Sequence, residues 1–353
     1  MEDVALADIA TQFGTPCYVY SKKAITKNFN AYQTALAGRD HLICYAVKSN
    51  SNIAVLQTLA NLGAGFDIVS LGELERVLMA GGDPCKIVYS GVAKNSVDMQ
   101  RALEVGIHCF NVESEAELAV LNATATKLGL LAPVSLRVNP DVDAKTHPYI
   151  STGLKENKFG IDINLAPEVY RRAASMNNIS VIGVDFHIGS QLTEIQPFVD
   201  AVDRLLVLVD ELQAMGIKLQ HIDIGGGLGV HYQDETAPSA AAYLDALLPR
   251  MAGRHETVVL EPGRSITANA GVLLTRVEYL KSNGSKNFAI VDAAMNDMLR
   301  PALYQALMYT QPVTANHGSQ ESFAVLRPVF ATGDFLVHDC TLAIVPDYLL
   351  ILS

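Results

Sequence analysis

A lysine follows directly on an apolar, β-prone run near the start of the chain, in "LICYAVK" (42–48). Several later apolar runs also end in polar side chains that are able to do chemistry: Asp67 and Ser70, Arg137 and Asn139, His187 in "DFHIGSQ", and Glu261 with Arg264 in "LEPGR". Each of these has an ordinary structural interpretation when it is taken alone. Together, an amine, a flat imidazole and a carboxylate are the groups that a carbonyl-based reaction centre uses.

A glycine-rich stretch, "HIDIGGGLG" (221–229), follows another apolar run. It lacks the GxGxxG spacing of dinucleotide-binding loops. Three consecutive glycines nevertheless leave backbone N–H groups free to approach an anion such as a phosphate. A lysine amine, a phosphate site, a carboxylate and an imidazole in one cavity indicate pyridoxal phosphate, whose aldehyde a lysine holds as a Schiff base.

Eight short β-prone runs alternate with segments of helical period from about residue 41 onward. The predicted strands are 42–48, 65–70, 86–91, 108–114, 134–139, 181–188, 220–226 and 257–263. A doubly wound open sheet uses similar units, but eight successive units favour a closed (β/α)8 TIM barrel, which we place at residues 26–266. Residues 1–25 and 267–353 contain further strand-like runs and few helices, so we expect them to form a second, β-rich domain.

This fold explains why the polar residues stand where they do. The C-terminal ends of the strands of a (β/α)8 barrel form its active face. Because the lysine, the histidine, the glycines and the carboxylates all follow predicted strands, we expect them to converge at that face.

The composition narrows the function further. The 353 residues are 50% hydrophobic and 18% charged, with a net charge of −11 and no basic cluster. Neither a membrane-spanning role nor nucleic-acid binding is expected from these values. The five cysteines have no CxxC spacing and the nine histidines form no ligand-spaced pair, so we predict no metal site. The N-terminal residues do not have the pattern of a secretory signal, and we expect a cytoplasmic protein.

Several motifs resemble one family closely. The stretches "YAVKSN", "GFDIVSLGELE", "DVDAKTHPYISTGLKENKFGI", "DFHIGSQ", "HIDIGGGLG", "LEPGRSI" and "RPALYQA" are similar to those of diaminopimelate decarboxylase. That family belongs to the fold type III, alanine-racemase-like group of pyridoxal phosphate enzymes. The resemblance extends from about residue 13 to residue 336, and the "THPYISTG" and "NKFGI" motifs are closer to diaminopimelate decarboxylase than to the ornithine or arginine enzymes.

The resemblance implies a role for each matching position. Lys48 would form the Schiff base with the cofactor, beside Asp67, and His187 would stack on the cofactor ring. Ser190 with Gly225, Gly226 and Gly227 would bind the phosphate, and Glu261 would face the pyridine nitrogen. Arg264, Arg300 and Tyr304 would hold the substrate carboxylate. The implied reaction converts meso-2,6-diaminopimelate to L-lysine and carbon dioxide, a step of lysine biosynthesis, in a homodimer whose site lies at the interface.

Two features depart from the family pattern. Where the family has a "CESGD"-like motif supplied by the partner subunit, this chain reads "FATGD" (330–334), so Phe330 and Ala331 replace the cysteine and the glutamate. The chain also ends at "DYLLILS", before the family's "AGAYG" segment, so the β-rich domain is expected to be short at that end. Two alternatives therefore stay open: a decarboxylase of another basic amino acid, and a catalytically impaired relative that binds the cofactor.

Overall fold

The computed structural model describes residues 1–143, 158–232, 235–284, 286–304, 306–314, 320–326, 335–343 and 348–352. In chain order its strands are β1 (Cys17–Tyr20), β2 (His41–Ala46), β3 (Gly65–Ile68), β4 (Ile87–Tyr89), β5 (Cys109–Val112), β6 (Ala132–Asn139), β7 (Ile161–Asp162), β8 (Ile179–Asp185), β9 (His221–Asp223), β10 (Thr257–Leu260), β11 (Gly271–Asn283), β12 (Lys286–Val291), β13 (Tyr309–Pro312), β14 (Gln320–Leu326), β15 (Phe335–Ala343) and β16 (Tyr348–Leu352). Its α-helices are α1 (Leu6–Phe13), α2 (Lys22–Ala35), α3 (Ile53–Asn61), α4 (Leu71–Met79), α5 (Ser96–Val105), α6 (Glu115–Leu128), α7 (Ala166–Ala174), α8 (Gln196–Ala214), α9 (Ala240–Leu247), α10 (Arg264–Thr267) and α11 (Arg300–Tyr304).

The chain divides into two compact units. One consists of Thr26–Val230 and Ala237–Thr267, and the other of Met1–Ile25, His231–Thr236 and Ala268–Ser353.

The larger unit is a closed parallel barrel. Its strands pair in the order β2, β3, β4, β5, β6, β8, β9, β10, and β10 pairs with β2 to complete the ring. The two-residue strand β7 pairs in parallel with the last two residues of β6, beyond the part of β6 that pairs with β8. The predicted (β/α)8 barrel is therefore confirmed, and each of its strands has near-continuous burial of apolar residues, as expected when both faces of a parallel sheet are covered.

Short polar segments at the strand ends start the surrounding helices. Ser70 accepts a hydrogen bond from the N–H of Glu73 at the start of α4, and the Glu73 side chain accepts one from the N–H of Val69. Ser114 and Glu117 form the same reciprocal arrangement at the start of α6. These capping boxes satisfy helix N–H groups and fix the point at which each strand turns into its helix.

The smaller unit is built on an antiparallel core. The long strand β11 pairs in antiparallel fashion with β1, β12 and β16, and β14 pairs in parallel with β12 and in antiparallel fashion with β15. Buried apolar side chains such as Leu273, Val291, Phe323 and Ile351 form its core. The expected β-rich region is confirmed as a sheet, and none of the helices in the described ranges is long and apolar enough to cross a membrane.

Candidate active site

Lys48 lies just past the end of β2, in a short 3-10 turn at Val47–Ser49, rather than within the strand. Its Nζ donates a hydrogen bond of 2.9 Å to Oδ2 of Asp67, the third residue of β3. Asp67 is fully buried, while the Lys48 side chain is half exposed. Burial lowers the pKa of Lys48, but the charges of Asp67 and Glu261 outweigh it and the pKa is raised. The amine is therefore held as an ammonium beside its carboxylate.

Glu261 follows β10 and lies inside the barrel end. Its Oε1 accepts hydrogen bonds from Ser90 Oγ at 3.2 Å and from Asn111 Nδ2 at 3.1 Å. Burial raises the pKa of Glu261 well above its usual range, and the charges of Asp67 and Asp223 raise it further. Because two neutral donors orient Oε1, the carboxyl group is fixed in position, and a cationic N–H placed next to it would favour its ionised form.

Further charged groups lie below this rim. Arg137 on β6 has its Nη1 3.2 Å from Oε1 of Glu113, and its Nε 3.8 Å from Oδ2 of Asp185, the last residue of β8. Burial raises the pKa of Asp185 to about 7 despite the nearby Arg137. Asp223, the last residue of β9, has a pKa raised well above its usual range by burial and by Asp185. The barrel end is thus rich in carboxyl groups that are able to hold protons near neutral pH.

His187 lies two residues beyond β8. Its Nδ1 accepts a hydrogen bond of 3.3 Å from the N–H of Gly226. Burial and the positive charges of Arg137 and Lys48 lower the pKa of His187 well below its usual range. The ring is therefore neutral and, with Nδ1 accepting, carries its proton on Nε2.

The glycines after β9 are required by close backbone packing. A Cβ at Gly225 would lie 2.3 Å from the Phe186 carbonyl oxygen, one at Gly226 2.1 Å from the Glu261 carbonyl oxygen, and one at Gly227 2.3 Å from the Gly189 carbonyl oxygen. Gly225 and Gly227 also have φ angles of +67° and +107°.

Polar groups lie at the start of the glycine loop and in the loops that follow β8 and β10. Gly225 N–H donates to Oδ1 of Asp223 at 2.8 Å. Ser190 Oγ, after β8, accepts hydrogen bonds from Arg264 Nε at 3.3 Å and from Arg264 Nη2 at 3.0 Å. Arg264 is the first residue of α10, so a hydroxyl group and a guanidinium group lie together after β8 and β10.

These groups fit pyridoxal phosphate. The loop contains three glycines whose Cβ positions would be filled by neighbouring backbone, and Arg264 adds a fixed positive charge beside the Ser190 hydroxyl. Asp67 Oδ1 is buried and has no hydrogen-bond partner within the described residues. An amine, a carboxyl group for a ring nitrogen and a small-residue loop for a phosphate are the protein groups that this cofactor needs.

Arg300 and Tyr304, the other predicted substrate residues, lie in the smaller unit on α11. The Arg300 guanidinium is 5.4 Å from the Tyr304 ring centroid and 5.0 Å from that of Tyr232. The helix does bring the two predicted residues to one face, as their spacing indicates. The "FATGD" motif lies outside the described residues.

The sequence analysis assigned no role to Ser90, Asn111, Glu113, Asp185 or Asp223. All five are buried and have charged or polar neighbours at this end of the barrel. In the sequence, each of them can be recognised as a polar residue at or just after the end of an otherwise apolar run. Two other rim residues have local contacts: Ser70 caps α4, and Asn139 Oδ1 accepts from the N–H of Asp141.

The barrel and its contents define a class of protein. Residues 22–268 match the family model described as "Pyridoxal-dependent decarboxylase, pyridoxal binding domain". The chain belongs to the pyridoxal-dependent decarboxylases, in the branch that contains the diaminopimelate decarboxylases, and its cofactor is pyridoxal phosphate.

Individual relatives show which enzymes of this family the chain is similar to. The chain is 62% identical over 349 residues to diaminopimelate decarboxylase of Pseudomonas aeruginosa, covering 99% of this chain and 84% of that protein. It is 55% identical over 351 residues to the enzyme of the same name from Haemophilus influenzae, covering 99% and 85%. The crystal structure of diaminopimelate decarboxylase from Helicobacter pylori complexed with L-lysine superposes with a TM-score of 0.95 at 41% identity, covering 98% of this chain and 88% of that one. The resemblance found in the sequence is confirmed.

Proposed function

We propose that the chain catalyses the decarboxylation of meso-2,6-diaminopimelate to L-lysine and carbon dioxide in the cytoplasm, as a step of lysine biosynthesis. Similarity over nearly the whole of this chain to enzymes of that name supports the substrate, and a structural relative is complexed with L-lysine, the product of this reaction. The observation that carries the mechanism is the fixed position of Glu261 between Ser90 and Asn111, in the barrel end that also contains Lys48. When bound, pyridoxal phosphate supplies an electron sink that allows the bond to the carboxylate to break.

Lys48 and Asp67 act as a pair in this proposal. Lys48 Nζ would hold the cofactor through its aldehyde group, and for this it would first have to lose the proton that its 2.9 Å hydrogen bond to Asp67 holds in place. Asp67 therefore both positions the amine and keeps it protonated until the cofactor arrives. The Asp67 carboxylate is fully buried, so it remains paired with Lys48 when water is excluded from around the two side chains.

His187 and Glu261 would hold the cofactor ring in the same proposal. The neutral His187 ring, oriented by the Gly226 N–H, offers a flat face for stacking. The carboxyl group of Glu261 would bind the protonated pyridine nitrogen, since Ser90 and Asn111 fix its Oε1. Both residues are therefore positioned before the cofactor binds.

The phosphate site in this proposal consists of Ser190, Gly225, Gly226 and Gly227. Arg264 donates hydrogen bonds to Ser190, so its positive charge lies at the same end of the barrel. The family resemblance supports a role in binding the substrate carboxylate for Arg264, Arg300 and Tyr304. It also supports a homodimer in which a partner subunit completes the site.

Lys48→Ala is the decisive variant for this function. Carbon dioxide and lysine release from meso-diaminopimelate should fall by at least three orders of magnitude, since a catalytic nucleophile is lost. Lys127→Ala, at an exposed lysine on α6, is the matched control and should retain full activity. Borohydride reduction of the cofactor-loaded chain should attach the cofactor to the peptide that contains Lys48, whereas a label on another lysine would overturn the assignment.

The "CESGD"-like motif of the family is replaced by "FATGD" in this chain. This replacement is the reason to test both alternatives, a changed substrate and a catalytically impaired relative, in one experiment. A panel of meso-diaminopimelate, lysine, ornithine and arginine separates the candidates. Carbon dioxide from meso-diaminopimelate alone supports the proposal, and faster release from another basic amino acid supports a changed substrate. Labelling at Lys48 without carbon dioxide from any substrate would identify an impaired cofactor-binding relative.

A further inference from the structure

Three side chains that commonly bind transition metals meet at the opposite end of the barrel. Cys109 and His221 are the first residues of β5 and β9, and His108 immediately precedes β5. One ligand atom from each residue lies within 4.8 Å of the other two. Because parallel strands begin at the same end, this cluster is at the N-terminal end of the barrel, although Cys109 Sγ also lies 3.7 Å from Oδ1 of Asn111, one of the two donors to Glu261.

The distances within the cluster approach those of a metal site. Cys109 Sγ is 3.9 Å from His221 Nε2, and the two imidazole ring centroids are 5.1 Å apart. Ligand atoms of a tetrahedral zinc ion are separated by about 3.3–3.6 Å, given Zn–N and Zn–S bonds of about 2.0–2.3 Å. The ligand atoms would reach these separations if each side chain moved by less than about 1 Å.

Two ring nitrogens in the cluster have no hydrogen-bond partner among the residues that the structure describes, the buried Nε2 of His108 and Nδ1 of His221, which is 1% exposed. Leaving a buried polar atom unpaired costs about 1–3 kcal/mol. For His108 Nε2, a bound ion is one of the standard explanations. His221 would bind the same ion through Nε2, the nitrogen that lies next to Cys109 Sγ.

Both rings are also held in place by their surroundings. The His108 ring makes a hydrogen bond with the Cys85 backbone. Burial lowers the pKa of His108, and this hydrogen bond partly offsets that effect. Metal-binding histidines usually make a contact of this kind through their second nitrogen, which fixes the ring orientation. The His221 ring lies against Gly183, where a Cβ would come within 2.0 Å of its Nε2.

We propose that His108, Cys109 and His221 bind one Zn²⁺ ion at the N-terminal end of the barrel, with water in the fourth position. Two imidazoles and one thiolate form a borderline-soft donor set that suits zinc and does not suit Mg²⁺ or Ca²⁺. Such an ion joins β5 to β9 across the barrel interior. Its expected effect is on barrel stability, because none of its three ligands is among the residues that hold the cofactor or the substrate in the proposed function.

The sequence predicts no metal site, because these ligands do not have the short, regular spacing of common metal-binding motifs. His108 and Cys109 are adjacent, and His221 follows 112 residues after Cys109. Only closure of the barrel brings them together.

The test uses the full, cofactor-loaded chain, dialysed against Zn²⁺ and then against metal-free buffer. We expect one zinc per chain by mass spectrometry, unaffected by excess Mg²⁺, and zinc X-ray absorption that shows one sulfur and two nitrogen ligands from the protein. Cys109→Ser and His221→Gln should each lower bound zinc at least tenfold. Cys85→Ser, which removes an exposed thiol close to the cluster, is the matched control and should leave it unchanged.

A chain that retains no zinc, or zinc without sulfur in its ligand shell, would overturn the proposal. So would zinc retention equal to the wild type in a folded Cys109→Ser variant. The absorption measurement uses the unmodified chain, and it therefore remains decisive even if His221→Gln fails to fold. Far-UV circular dichroism and the cofactor absorbance establish which variants are folded.

Discussion

Asp185→Asn should change how the stability of the barrel depends on pH. The Asp185 carboxyl group is 1% exposed and neither of its oxygens has a hydrogen-bond partner within the described residues. Its pKa is raised from 3.8 to about 7, first by burial and then by Glu113 and Asp67, while Arg137 and Lys48 oppose the shift. Asparagine has a similar shape and cannot ionise, so the variant removes this titration and, with it, the part of the raised pKa of Asp223 that is due to Asp185.

The magnitude follows from the difference between the two pKa values. The folded chain keeps the Asp185 proton up to about pH 7, whereas the unfolded chain loses it near pH 3.8. The folded state therefore binds more protons between these values, and the free energy of unfolding falls as the pH rises through this window. A shift of about three units corresponds to about 4 kcal/mol, of which about 3 kcal/mol lies between pH 5 and pH 8.

Urea unfolding of the cofactor-free chain at pH 5, 6, 7 and 8 measures this effect. The free energy of unfolding of Asp185→Asn, relative to wild type, should rise by about 3 kcal/mol from pH 5 to pH 8. Asp245→Asn, at an exposed aspartate on α9, is the matched control and should follow the wild-type curve. A variant whose difference from wild type is constant across this range would refute the reasoning, since ionisation of Asp185 would then not be linked to folding.

Two further substitutions test packing and burial. Gly226→Ala should weaken cofactor binding at least tenfold, because its Cβ would lie 2.1 Å from a backbone oxygen, while Gly72→Ala, whose Cβ has no neighbour nearer than 3.9 Å, should bind normally. Cofactor titration followed by absorbance checks this, and equal affinities would contradict it. Lys94→Met should destabilise the chain by about 3–5 kcal/mol, because it leaves the Glu117 carboxylate, which lies 2.8 Å from Lys94 Nζ in the wild type, buried without its partner. Lys94→Met combined with Glu117→Gln, which keeps an oxygen acceptor for the N–H of Glu113, should recover most of that loss, and a double variant as unstable as the single one would exclude the unpaired charge as the cause.

Hydrophobic periodicity was sufficient to predict the barrel, but it placed strand ends too late. The first barrel strand ends at Ala46 rather than Lys48, and the sixth ends at Asp185 rather than residue 188. At these two strands the apolar run continues because the loop residues Val47, Phe186 and Ile188 are buried as well. The short strands β7 and β13 were missed, since two to four residues give too little pattern to recognise.

The candidate site was predictable where a reactive side chain interrupts an apolar run, as at Lys48, His187 and Glu261. Its supporting groups were not, because their roles depend on strands far apart in sequence. Asn111 and Ser90 reach Glu261 across 150 and 171 positions of the chain. Only the ring closure between β10 and β2 and the register of the neighbouring strands make those contacts possible.

Glu113 has a consequence for how this barrel can be altered. Its buried carboxylate accepts hydrogen bonds from the N–H of Gly91 after β4, from the N–H of Gly160 near β7 and from Arg137 on β6. Loops of (β/α)8 barrels vary between enzymes to give new substrates and chemistries. Here one side chain joins the segments that follow several strands, so a loop grafted after β4 or β6 alone would leave this carboxylate short of a donor. Loop exchange in this enzyme should succeed only when the segments that contact Glu113 are transferred together.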